Sequence, residues 1–201
     1  MTGSDDLSPV FKEKGYVEDI FVTRRFVAWL ETHYDSQRLC LVSRKAFLSG
    51  KVDTGKNIRC PVSTNLPKEL SVIGIKNEEG KNSSEYASEI WLQIKESTLY
   101  GDRFEYISLR PDQRQRRKLR LNEGGNIIAG GFSEDHGWLL VDEQTQRVLR
   151  KVSMRGECLG QIRLVDLVTN LVVLENGSVV MPVFAGPSTR ILKLNQSTLP
   201  T

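Results

Sequence analysis

The sequence predicts an all-β chain, an array of about four antiparallel hairpin or meander units. Three observations predict it. Apolar residues come in short runs of about four to seven rather than in stripes of helical period. Gly, Asn, Asp, Ser and Pro bound those runs at hairpin lengths. Matching points recur about every 45 to 55 residues, at Ile20, Val72, Ile127 and Val172, which marks an array of repeated sheets.

The first unit lies near 17–48. Its runs are Ile20 to Val22, Phe26 to Leu30 and Leu39 to Val42, with a polar turn at His33 to Gln37. The second, near 69–121, runs Leu70 to Ile75, crosses a polar loop at Asn77 to Ser84, and continues through Ile90 to Ile94 and Phe104 to Leu109. Tyr86, Ile90 and Ile94 also fit a helical i, i+4 face, so 85–96 reads as strand in preference to a short helix. The third unit, near 126–153, holds Asn126 to Gly131, Gly137 to Asp142 and Arg147 to Val152 between turns at Ser133 to His136 and Glu143 to Gln146. The fourth, near 160–195, holds Leu171 to Leu174, Ser178 to Val183 and Arg190 to Leu194. Its first turn is Glu175-Asn176-Gly177, in which Asn176-Gly177 is the strongest hairpin signal in the chain, because both central positions of a type I′ turn need φ > 0. Around these units, 1–15 reads as a polar lead-in, 16–196 as a single β domain and 197–201 as a tail.

One of these stretches carries a family resemblance. Gly137-Trp138-Leu139-Leu140-Val141-Asp142, followed by Glu143 to Leu149, resembles a blade of WD40-like and quinoprotein-like β-propellers. In those blades a Gly opens an inner strand, an Asp closes it and a Thr-containing turn feeds the next strand. The departures are Gln146, where the quinoprotein pattern prefers Gly, and the lack of a Trp after Leu149, of a Gly-His and of a Trp-Asp dipeptide. The resemblance implies a propeller-like array, with a β-sandwich or barrel as the alternative. About four units make either the smallest closed propeller or an incomplete array whose open edges a partner must cover. It implies no particular chemistry.

Composition narrows the class further. The 201 residues are 39% hydrophobic and 26% charged, the range of an ordinary globular chain. No apolar run near Met1 has the length of a secretory signal, and none elsewhere has that of a membrane span. The expectation is an intracellular protein, cytoplasmic or nuclear, without a membrane partner. Cys40, Cys60 and Cys158 are odd in number and widely spaced, which argues against a disulfide framework and a structural zinc site. The acceptor patterns at Asn82, Asn176 and Asn195 read as chance matches.

Candidate chemistry is sparse. Ser133, Asp135 and His136 sit within one turn, too close in sequence for a nucleophile, base and orienter, and read as a polar hairpin loop. Gly124-Gly125 and Gly130-Gly131 match no phosphate-binding motif and read as turns or tight backbone approach. His33 and His136 read as exposed loop histidines, and Glu18-Asp19 and Glu78-Glu79 as surface carboxylates. No catalytic residue, metal ligand or cofactor site is expected. Trp29, Trp91 and Trp138 occupy comparable places in apolar runs and read as core.

One feature has functional content. Six basic residues and one acid lie between Arg110 and Arg120, and without that window the net charge of +3 becomes −2. Arg114, Arg116, Arg117, Lys118 and Arg120 are the candidate contact for a polyanion or an import receptor. The window lacks the aromatic side chains of single-strand readers. The leading expectation is therefore a non-enzymatic protein–protein interaction or scaffold module of propeller type within a larger assembly, with another protein as its partner. Nucleic-acid association through 110–120 is the alternative. A loop-built enzyme site would need two or more of His33, Glu89, Asp135, His136 and Asp166 to converge on one pocket.

Overall fold

The computed structural model describes residues 15–23, 25–50, 59–65, 68–77, 88–110, 115–121, 125–143 and 146–195. The lead-in through Lys14, the loop 78–87, the tail from 196, Arg114, Gly124 and Gln144-Thr145 lie outside the described residues. The chain divides into two compact units, 1–70 and 71–201.

The first unit holds a sheet of β1 (Tyr16–Val22), β2 (Phe26–Thr32), β3 (Ser36–Ser43) and β4 (Arg59–Asn65), in that spatial order and antiparallel throughout. In β2 every residue from Val27 to Glu31 is buried, so this strand is covered on both faces rather than alternating inside and out. Between β3 and β4 comes the one-turn helix α1 (Arg44–Leu48), capped by Ser43, whose side chain accepts a hydrogen bond from the Ala46 N–H. Its Ala46 and Phe47 pack on Val27, Trp29, Cys40 and Val42.

In the second unit three further sheets follow along the chain. One comprises β5 (Lys68–Asn77, beginning at the end of the first unit), β6 (Ser88–Thr98), β7 (Gly101–Arg110) and β8 (Gln115–Lys118). The next comprises β9 (Asn126–Phe132), β10 (His136–Glu143), β11 (Gln146–Ser153) and β12 (Cys158–Leu164). The last is made of β13 (Leu167–Val168), β14 (Val172–Val173), β15 (Val179–Ala185) and β16 (Ser188–Leu194). Residues 88–98 are strand, as expected. Ile90, Trp91 and Leu92 are consecutive and all fully buried, which a strand with two covered faces permits.

Stacking of the sheets explains the paired apolar residues of the central strands. Ile73, Trp91, Tyr106 and Leu119 of the second sheet and its flank pack on Ile127, Leu139, Val141 and Val152 of the third. On its other face the third sheet sets Trp138, Leu140 and Leu149 against Val168, Leu171, Val179, Met181 and Val183 of the fourth. Leu139 and Leu140 are neighbours in sequence that point to opposite faces, so each enters a different inter-sheet core. Successive antiparallel meanders stacked face to face are propeller blades, and the all-β propeller-like expectation holds over a sandwich or barrel.

The Asn176-Gly177 hairpin forms, but not as a two-residue turn. The Gly177 N–H donates to the Leu174 carbonyl (2.8 Å) and the Leu174 N–H to the Ser178 carbonyl (2.8 Å), so the loop is Glu175-Asn176-Gly177 with Glu175 and Asn176 at its centre. Gly177 follows at φ 73°, the left-handed position of a bulged three-residue loop. The same device closes β11 and β12. There Gly156, at φ 91°, donates to the Ser153 carbonyl (2.9 Å) and the Ser153 N–H donates to the Glu157 carbonyl (2.8 Å).

Candidate interaction surfaces

The basic segment is an edge strand with its side chains divided between two faces. β8 pairs with β7 in the register Ile107 to Lys118, Ser108 to Arg117, Leu109 to Arg116 and Arg110 to Gln115. Alternation puts Arg116 and Lys118 on one face and Arg117 on the other. Arg117 is engaged internally: its Nη2 lies 3.4 Å from Glu89 Oε1 and donates to the Met154 carbonyl at 2.8 Å. Arg110 approaches the other oxygen of Glu89 at 3.4 Å, and the Trp91 indole N–H donates to Oε1 at 3.3 Å. Glu89 is buried, so these two guanidinium groups neutralise a carboxylate inside the fold. Arg116 lies 3.9 Å from Glu105, while Lys118 and Arg120 are exposed and make no ion pair among the described residues. Arg114 lies outside those residues.

A second charged cluster lies in the first unit. Glu31 is fully buried, with Arg38 Nε at 2.8 Å from Oε2, the Cys40 thiol at 3.3 Å and His33 Nε2 at 2.8 Å from Oε1. Sequence reasoning passed over Glu31 because nothing in Trp29-Leu30-Glu31-Thr32 marks one acid in a buried strand as different from a surface one. Burial by itself raises the pKa of this carboxyl. Hydrogen bonds from Arg38 and Cys40, with the charges of Arg38 and His33, outweigh burial and hold it below the usual carboxylate value. A depressed folded-state pKa stabilises the fold above the unfolded value and loses that contribution as pH falls through the folded one. Wild type is therefore expected to be more stable than Glu31→Gln at pH 7, with the gap narrowing below about pH 4. Urea denaturation of both at pH 7 and pH 3 checks this, and a gap independent of pH contradicts it.

Both histidines depart from the exposed-loop expectation. His33 is half-buried beside Glu31, and its backbone N–H closes the β2–β3 hairpin on Ser36 at 2.8 Å. His136 is buried at the start of β10, its ring 5.9 Å from Trp138 in an edge-on arrangement. Burial, and after it the charge of Lys151, pushes the His136 pKa down. Ser133 and His136 do meet, with Ser133 Oγ 3.1 Å from Nδ1, as the closing pair of a hairpin whose tip is Glu134-Asp135. One cleft in the second unit is lined by Tyr106, Leu121, Gly125, Ile127, Leu139, Val141, Arg150, Val152, Gly156 and Cys158. None of His33, Glu89, Asp135, His136 and Asp166 lines it. Among the described residues no group of three His, Cys, Asp or Glu side chains is placed to hold a metal ion.

The fourth sheet presents the largest departure from its neighbours. β13 and β14 lie end to end along one side of β15, pairing with Val183-Phe184 and Val179-Val180, and β16 runs along the other side. The sheet is thus three strands wide, and among the described residues β16 has no strand on its outer edge. Val179, Met181 and Val183 face the third sheet. The opposite face carries Leu167 across from Phe184, Val172 across from Val180, and Pro182 across from Ile191. Leu167 is 50%, Val172 58%, Phe184 40% and Ile191 76% exposed, a contiguous apolar surface beside an open edge.

Solved structures with this fold are known. The chain superposes on a prolyl endopeptidase with a TM-score of 0.62 at 13% identity, over 94% of this chain and 26% of that one. It matches a puromycin hydrolase with a TM-score of 0.52 at 10% identity, over 91% and 27% of the two chains. Against the Dos1 propeller the TM-score is 0.50 at 9% identity, over 83% and 42%. These likenesses establish the propeller-type fold, and the chain spans between a quarter and about two fifths of the length of the structures it matches. No family model matches the chain, and no curated protein matches it in sequence. No helix among the described residues is long and apolar enough to cross a membrane.

Proposed function

We propose that the chain is a non-enzymatic protein–protein interaction or scaffold module of propeller type that works within a larger assembly. The observation that carries this reading is the uncovered apolar face of the fourth sheet. Leu167, Val172, Phe184 and Ile191 stand together on one face of a sheet whose other face is core. Isolated exposed apolar residues are ordinary, but a contiguous patch beside an unpaired edge marks a surface that another protein covers. The alternative, nucleic-acid association through 110–120, draws less support, because Arg110 and Arg117 balance Glu89, which leaves only Arg116 and Lys118 together on one face of β8.

The isolated chain is expected to self-associate as its concentration rises and to bind an apolar-surface dye. The double variant Val172→Lys/Phe184→Glu should be monomeric with weakened dye binding and an unchanged far-UV circular dichroism spectrum. Sedimentation velocity with dye titration reads both. A wild-type chain that stays monomeric at all concentrations and ignores the dye contradicts the reading.

A further inference from the structure

We infer that β16 is completed by an extended, acidic segment of the partner protein, which joins the fourth sheet as its missing outer strand. The inference rests on the interaction-module reading and specifies how the partner is held. Each of the other three sheets carries an outer strand on its third strand: β4 on β3, β8 on β7 and β12 on β11. At the corresponding place β16 presents a row of backbone donors and acceptors with no strand opposite it among the described residues. Such an edge recruits an extended peptide through main-chain hydrogen bonds, and the side chains then choose which peptide.

The side chains of β16 define that choice. Ser188-Thr189-Arg190-Ile191-Leu192-Lys193-Leu194 contains two cations and no acid. Arg190 and Lys193 are exposed and make no ion pair among the described residues, while Ile191 and Leu192 between them are 76% and 44% exposed. Directly opposed residues in an antiparallel pair share a face and interact most strongly. A strand running antiparallel to β16 therefore gains most with acids opposite Lys193 and Arg190 and apolar residues opposite Leu192 and Ile191. Read along the incoming strand, the pattern is acidic, apolar, apolar, acidic. Lysines at its outer positions would set like charges face to face, which rejects a basic strand as firmly as the acids attract. Arg190 shares the face of Val183 and Lys193 that of Val180, so both faces of the added strand are read.

The test uses the full chain and two labelled peptides, Thr-Glu-Val-Ile-Glu-Thr and Thr-Lys-Val-Ile-Lys-Thr, in fluorescence anisotropy. Wild type should bind the glutamate peptide about tenfold or more tighter than the lysine peptide, with the difference shrinking in high salt. The variant Arg190→Glu/Lys193→Glu, altered only at exposed positions, should invert the preference. Equal binding of both peptides, no binding of either, or a preference that survives the charge reversal overturns the inference. So does a wild-type dimer that Arg190→Glu/Lys193→Glu dissociates and the glutamate peptide does not, because the occupant of the edge is then a second copy of the chain. The Val172→Lys/Phe184→Glu experiment reads a different face of the sheet. If that variant becomes monomeric while no peptide binds, the interaction-module reading stands and the acidic strand alone is lost.

Discussion

Replacing Trp138 with alanine is expected to cost about 3–5 kcal/mol of stability, the range for removing a large aromatic from a filled core. The indole is fully buried where the third sheet meets the fourth, in the cluster of Leu140, Leu149, Val179 and Met181. Its N–H donates to the Gly177 carbonyl at 3.1 Å, tying β10 to the bulged loop that turns the chain into β15. Alanine removes the packing and leaves that buried carbonyl without this donor. Trp138→Phe separates the two contributions: it keeps most of the apolar volume and loses the hydrogen bond, so it should cost about 1–2 kcal/mol. Urea denaturation checks both. The midpoints should fall in the order wild type, phenylalanine, alanine, with little change in slope. An alanine variant within 1 kcal/mol of wild type would mean that the indole does not join the two sheets.

The same residue shows what was legible in the sequence. Trp29, Trp91 and Trp138 each precede a leucine in the second strand of their sheet, and each is at most 1% exposed. Their regular placement identified the central strands, because a strand covered on both faces must be apolar in consecutive positions. The outer strands were not legible for the converse reason. β8 and β12 are edge strands with largely solvated side chains, and Gln115-Arg116-Arg117-Lys118 shows no apolar alternation to distinguish a paired strand from a loop. The turn stands at Glu175-Asn176-Gly177 as expected, but the type I′ assignment of Asn176-Gly177 does not hold, because Gly177 serves equally well as the second residue of a tight turn or as the left-handed residue after one. Only the hydrogen-bond partner of Leu174 decides between them.

Function was less legible than fold, for an electrostatic reason. A run of cations in sequence suggests a patch in space, but a strand sends successive side chains to opposite faces, and a buried acid can draw some of them inward. β8 does the first, and Glu89, 28 residues before Arg117, does the second by engaging Arg117 and Arg110. The surface with the clearest unsatisfied chemistry was instead β16, where the sequence shows only an ordinary amphipathic run. Its significance comes from position, as the outermost described strand of a sheet three strands wide, where each of the other sheets is four strands wide.

Close approach between the inner strands of the second and third sheets makes Gly74 the second sensitive position, and Gly74→Val is expected to destabilise by about 3 kcal/mol. A Cβ at residue 74 would lie 2.8 Å from the Gly130 carbonyl oxygen and 2.9 Å from the Phe132 ring. The oxygen is backbone and cannot rotate away, so β5 and β9 would have to separate. Gly130 repeats the constraint from the other side, where a Cβ would meet Ile73 Cγ2 at 2.7 Å. The glycines on these two strands are thus the means by which Ile73, Trp91 and Leu139 reach a common core. Gly50 is the internal control. It also lacks a side chain, but a Cβ there meets nothing within 4 Å, so its cost is conformational only, from φ 63°. Gly50→Asn, which tolerates that left-handed conformation, should stay within about 0.5 kcal/mol of wild type. Thermal and urea unfolding of the two variants side by side separates steric from conformational demand. If Gly74→Val and Gly50→Asn lose equal stability, the inner strands are not held as closely as this geometry requires.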